Sequence, residues 1–296
     1  FYAWSDRSEG TTFLYDHSND KLELISKATP WLNENNLAEM KPIQYTSRDA
    51  LTIHGYLTIP NGLEPKSLPV IINPHAGPQW RNSWGFNEFT QFYANRGYAV
   101  LQVNFRGSEG YGKKFMQAGF KQMSLKLQDD ITDGVNWLVK QGIADKNRIA
   151  IFGLSFGGSA ALAGITFTPE LYACGVDFWG TSNYFTWYNG FPPQWKPYMS
   201  EVHRRWVNPA TDSLMMHQIS PVFHVEDIIA PVFIAQSAND RRVRLEQSEQ
   251  MVEALEKQNK EYEYVLLEGE GHALTNETKL IDLMTQVESF LDRHLN

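Results

Sequence analysis

The sequence predicts an α/β fold in which a mostly parallel central sheet carries helices on both faces, with short strands of a different character ahead of it. Three observations predict it. First, compact apolar runs such as Pro69-Val70-Ile71-Ile72-Asn73-Pro74 and Val232-Phe233-Ile234-Ala235-Gln236 alternate with longer segments from about residue 43 to the end. Second, Asp129 to Gln141 and Glu246 to Gln258 repeat apolar residues at helical spacing, as helices laid against a sheet do. Third, Gly153-Leu154-Ser155-Phe156-Gly157-Gly158 stands between the β-type run Arg148-Ile149-Ala150-Ile151-Phe152 and the small-residue segment Ser159-Ala160-Ala161-Leu162-Ala163-Gly164, which gives the order strand, sharp turn, helix.

Taken in order, Phe1-Tyr2-Ala3-Trp4, Thr12-Phe13-Leu14-Tyr15-Asp16 and Lys21-Leu22-Glu23-Leu24-Ile25 read as short antiparallel strands. The turn clusters Ser8-Glu9-Gly10 and His17-Ser18-Asn19-Asp20 separate them. Residues 1–40 therefore look like part of a β-meander with a linker, and residues 41–296 like the α/β unit. Leu51 to Pro60 alternates and reads as an early antiparallel strand. Pro69 to Pro74 is a buried strand that runs directly into His75-Ala76-Gly77-Pro78. Later strands end in Ser237-Ala238-Asn239-Asp240 and, after Tyr262 to Leu267, in Glu268-Gly269-Glu270-Gly271-His272.

The glycine-flanked serine is the nucleophile elbow of the α/β-hydrolase fold. Side chains two residues before and after it would collide with the neighbouring strand and helix, and Gly153 and Gly157 meet that demand. The acid and then the histidine should follow the serine in chain order, each just beyond the carboxyl end of a strand. Asp240 and His272 satisfy both conditions. A serine hydroxyl is a poor nucleophile at neutral pH, so His272 is expected to take its proton and Asp240 to orient the imidazole. The oxyanion needs two donors: the N–H of Phe156 is expected to be one, and the loop after Pro74 to supply the other.

The chain has 296 residues, enough to bury about three quarters of its unfolded surface without staples. Its one cysteine, Cys174, excludes an internal disulfide and reads as a core thiol. With 26 basic and 34 acidic side chains the formal charge is −8, which gives no footprint for nucleic acid or an anionic membrane. No apolar run reaches the ~18 residues of a membrane span, and the amino end has no basic-then-apolar leader pattern. The chain begins at Phe1, which reads as a processed product or a fragment. Its compartment is not legible; cytoplasmic is weakly favoured and an exported form stays open. The other histidines (His17, His54, His203, His217, His224 and His294) lack metal-ligand spacing, so no metal or cofactor is expected.

Together His75-Ala76-Gly77-Pro78, Asn104-Phe105-Arg106-Gly107-Ser108-Glu109-Gly110-Tyr111-Gly112, the Ser155 elbow, Asn239-Asp240-Arg241-Arg242-Val243 and Gly271-His272 resemble the catalytic domain of the prolyl oligopeptidase family of serine peptidases. The resemblance covers residues 43 to 296. It implies a short-peptide substrate and a preceding β-propeller, of which Phe1 to Ile25 would be the last strands, and it leaves homo-oligomerisation open. It also implies Gly77 as the second oxyanion donor and Arg242 as an anchor for a substrate carbonyl. Related dipeptidyl-peptidase and prolyl-oligopeptidase branches carry a tyrosine where this chain has His75, a substrate-facing position, so the resemblance leans toward the acylaminoacyl-peptidase-like branch. Ala76 and Arg244 depart from the usual glycine and proline. The aromatic-rich stretch from Phe178 to Trp206, including Trp179 and Tyr184, corresponds to an insertion that walls the pocket for the residue before the scissile bond; packing of the insertion itself is the competing reading.

The leading expectation is a serine peptidase, acylaminoacyl- or dipeptidyl-peptidase-like. The alternatives are a carboxylesterase, which would use the same triad, and a non-catalytic hydrolase-fold interaction module, which would have no need to keep serine, acid and histidine together.

Overall fold

The computed structural model describes residues 1–296. The chain opens with β1 (Tyr2–Ser5), β2 (Ser8–Asp16) and β3 (Lys21–Lys27), a separate three-stranded antiparallel sheet in sequential order. Then come β4 (Met40–Thr46), β5 (Thr52–Thr58), β6 (Leu68–Pro74), α1 (Glu88–Asn95), β7 (Ala99–Asn104), α2 (Lys113–Ala118), α3 (Lys126–Lys140), β8 (Ala144–Leu154), α4 (Phe156–Phe167) and β9 (Cys174–Phe178). An α-helical insertion follows, with α5 (Tyr184–Asn189), α6 (Met199–Arg205) and α7 (Pro209–Ile219). The chain closes with β10 (Val232–Ser237), α8 (Glu246–Lys257), β11 (Tyr262–Leu267) and α9 (Glu277–Leu295).

Eight strands form the large sheet in the order β11-β10-β9-β8-β6-β7-β5-β4. All pairs from β11 to β7 are parallel, and β5 pairs antiparallel with both β7 and β4, as the alternation of Leu51 to Pro60 predicts. Strands buried on both faces are mostly apolar on both, which is why β6, β7, β9 and β10 are largely apolar, with single polar residues such as Gln102 and Asp177 among them. Successive residues feed opposite layers. Val70 and Ile72 join one cluster with Ile131, Val135, Leu162 and Met251 of α3, α4 and α8; Ile71 joins the other with Tyr93 of α1 and Val287, Phe290 and Leu291 of α9.

Local chemistry sets several helix starts. Asn87, Asn183, Asn208 and Asn276 each accept a hydrogen bond from a first-turn backbone N–H of α1, α5, α7 and α9. The amino-terminal sheet is joined to the larger unit mainly at one buried residue. Asp6 accepts the N–H of Met40 at 2.7 Å, and its carbonyl accepts from Gln91 of α1 at 3.1 Å. Trp4 packs on Trp84 beside this point, while every residue of β3 is exposed.

Candidate active site

The turn between β8 and α4 leaves no room for side chains at its glycines. A Cβ on Gly153 would lie 2.1 Å from the carbonyl carbon of Gly157, and one on Gly157 would lie 2.4 Å from the carbonyl oxygen of Pro74. Between them Ser155 adopts φ 56° and ψ −119°, a strained conformation for a non-glycine residue. Its backbone N–H donates to Phe178 O at 2.8 Å, which fixes the turn to the end of β9.

His272 links the two other predicted residues. Its Nδ1 lies 2.6 Å from Oδ2 of Asp240 and its Nε2 3.0 Å from Oγ of Ser155. Asp240 is buried on the turn after β10, and its Oδ1 accepts the N–H groups of Arg242 and Val243 at 2.8 and 3.0 Å. With the carboxylate acceptor-only, the imidazole carries its proton on Nδ1 and turns a lone pair on Nε2 toward the serine hydroxyl. The loop bearing His272 is itself held: Glu270 accepts the N–H of Thr275 at 3.1 Å, and this bond, with Lys279, keeps the Glu270 carboxyl below its ordinary range.

Phe156 is the first residue of α4, so its N–H has no acceptor within the helix. Gly77, at φ 136°, makes no backbone hydrogen bond through its N–H. Both line one small cleft together with Ser155. Its walls are Pro78, Met123, Tyr184, Trp187, Trp206 and Val243, with no charged side chain among them. Burial pushes the Tyr184 phenol up to about 12, so it stays neutral. Trp206 donates from Nε1 to Gln79 at 3.1 Å, which ties the insertion to the loop of Gly77. The sequence reading missed Met123, which has no motif signal because it contributes by position alone.

The structure does not bring every predicted residue to the cleft. Trp179 is buried in the core, with its ring 6.4 Å from that of His272. Arg242 is exposed on the turn of the acid, and only its backbone N–H makes a protein hydrogen bond. His75 is buried and faces inward, stacked on Phe105 at 4.2 Å, with Nε2 2.7 Å from Ser108 Oγ and Nδ1 2.6 Å from Ala76 O. Burial lowers its imidazole to about 4. Among the aromatics of the insertion, Trp187 meets Phe191 edge-on at 4.7 Å, and Phe191 stacks on Trp195 at 4.9 Å. Away from the cleft, His224, Glu226 and Asp227 bring three ligand atoms within 4.8 Å, with both carboxylates exposed.

A predominantly parallel eight-stranded sheet, a serine on the elbow after β8, and an acid and a histidine on the turns after β10 and β11 define the class: this is an α/β-hydrolase. Residues 84–296 match the prolyl oligopeptidase family, and the chain belongs to that family. It is 39% identical over 269 residues to dipeptidyl aminopeptidase BIII of Pseudoxanthomonas mexicana, covering 88% of this chain and 39% of that protein. It is 33% identical over 307 residues to dipeptidyl peptidase family member 6 of Caenorhabditis elegans, covering 96% of this chain and 42% of that protein. A solved structure of a Mycobacterium tuberculosis puromycin-hydrolyzing peptidase shares the fold at a TM-score of 0.89 and 23% identity, over 100% of this chain and 45% of that one. The chain thus spans about two fifths of the length of these curated relatives.

Proposed function

We propose that this chain is the catalytic part of a serine peptidase that removes short units from the amino end of peptides through an acyl-enzyme. The observation that carries the reading is His272 placed within hydrogen-bond reach of both Asp240 and Ser155. In this reading Ser155 attacks the scissile carbonyl while His272 Nε2 takes the hydroxyl proton, then returns it to the leaving amine. Asp240 holds the imidazole and stabilises the imidazolium, and its own position is held by the two N–H groups on its other oxygen. The N–H groups of Phe156 and Gly77 receive the oxyanion. The uncharged aromatic cleft takes an apolar side chain before the scissile bond, and the unpaired Arg242 guanidinium anchors a substrate carbonyl.

Release of dipeptides is the mode suggested by the names of the two curated relatives. The exposed β1–β3 sheet fits the last strands of a preceding β-propeller. The test is parallel turnover of a free-amine dipeptidyl anilide, an N-acetylated aminoacyl anilide and a short nitrophenyl ester, with Ser155→Ala as the blank. Serine-dependent anilide cleavage supports the reading, and the preferred amino end assigns the mode. Ester cleavage without anilide cleavage favours a carboxylesterase.

A further inference from the structure

Behind the Ser155 elbow lies a buried carboxylate that the chemistry above does not use. Asp177 is the fourth residue of β9, paired in register with Gly153 of β8, and it is 2% exposed. Its Oδ1 accepts the N–H of Gly180 at 2.7 Å and closes the turn that carries Trp179 at φ 44°. No lysine, arginine or histidine forms an ion pair or hydrogen bond with it from β8, α4, β10 or the turn itself. Burial pushes its carboxyl up to about 7.

Two glycines make space for this oxygen. A Cβ on Gly158 of α4 would lie 2.2 Å from Asp177 Oδ1, and one on Gly180 would lie 2.4 Å from it. The same turn is bonded to the elbow on both sides of Gly180. Before it, Phe178 O accepts the N–H of Ser155 at 2.8 Å; after it, the N–H of Thr181 donates to Ser159 Oγ at 2.7 Å. Ser159 in turn donates its N–H to Ser155 O at 2.9 Å. A buried acid without a counter-ion is costly to retain, and here its one protein hydrogen bond shapes the turn on which the serine's backbone rests.

We propose that Asp177 is a positioning residue for Ser155, acting as a hydrogen-bond acceptor that shapes the 177–181 turn and not as a charge. The proposal rests on the peptidase reading for what Ser155 does. Asparagine keeps an acceptor at the same place; alanine and the similarly branched leucine do not.

The experiment measures the rate constant of covalent labelling by a fluorophosphonate in wild type, Asp177→Asn, Asp177→Ala and Asp177→Leu, with melting temperature as the check on folding. Asp177→Asn should label within about threefold of wild type, and Asp177→Ala about 30-fold more slowly, since small misplacements of a reacting group cost up to ~10²-fold. Should the alanine variant not fold, Asp177→Leu, which fills the site without an acceptor, should show the same loss. Wild-type labelling in the alanine or leucine variant overturns the proposal, and so does an equal loss in Asp177→Asn. Absence of labelling in wild type itself would instead overturn the peptidase reading.

Discussion

Asp177 should make the stability of this protein fall as pH rises, and substituting it by asparagine should remove that fall. In the unfolded chain the carboxyl ionises near its ordinary 3.8, whereas burial holds the proton in the folded protein to about 7. Between those values the folded state binds one more proton than the unfolded state, so each pH unit costs about 1.4 kcal/mol of stability. The contribution is fully favourable below about pH 4 and is lost by the time pH has risen through 7. From pH 4.5 to 8, where most of the window remains, the loss amounts to about 3 kcal/mol. Asparagine preserves the bond from Gly180 and has no proton to lose. Urea unfolding of wild type and Asp177→Asn at half-unit intervals from pH 4.5 to 8 isolates the effect, because every other titrating group is common to both. The advantage of the variant should grow by about 3 kcal/mol across the series, mostly below pH 7. A constant difference would refute the claim that the carboxyl is buried without a compensating charge.

Gly157→Ala places a methyl group against Pro74 O and should reduce fluorophosphonate labelling by at least about a hundredfold, read against a retained melting transition. Arg106 is buried and bonded to both Asp49 and Asp130, at 2.7 and 2.6 Å, and it holds the Asp49 carboxyl well below the usual range. Arg106→Met should cost about 3–5 kcal/mol in urea unfolding by leaving Asp130 buried and uncompensated. Arg242→Ala should leave stability unchanged and lower kcat/KM for peptide anilides much more than for a small ester; equal losses would argue against a carbonyl anchor.

The legible parts of the fold were those with a period. The buried strands β6 and β10 and the helices α3 and α8 stand close to their expected places because apolar spacing specified them. β8 begins at Ala144, four residues before the apolar run Arg148 to Phe152. Ala144 pairs with Leu68, but the intervening Asp145-Lys146-Asn147 is polar and carries no strand pattern. At the site, Ser155, Asp240 and His272 were readable because each follows a strand and the elbow needs glycines at fixed offsets. The wall residue Met123 was not, since it reaches the cleft from a segment that carries no motif. Asp177 left one overlooked signal: an acid inside the apolar run Ala173 to Phe178, where a charge needs a reason. His75 shows the limit of a motif, which gave its place beside Gly77 but not the inward turn of its ring.

The most direct test of the central claim is mass spectrometry of the chain after reaction with a fluorophosphonate, with peptide mapping of the adduct. One adduct per chain at Ser155, absent from Ser155→Ala and strongly slowed in His272→Ala, is the result the geometry predicts. Labelling at another residue, or undiminished labelling of either variant, would contradict it.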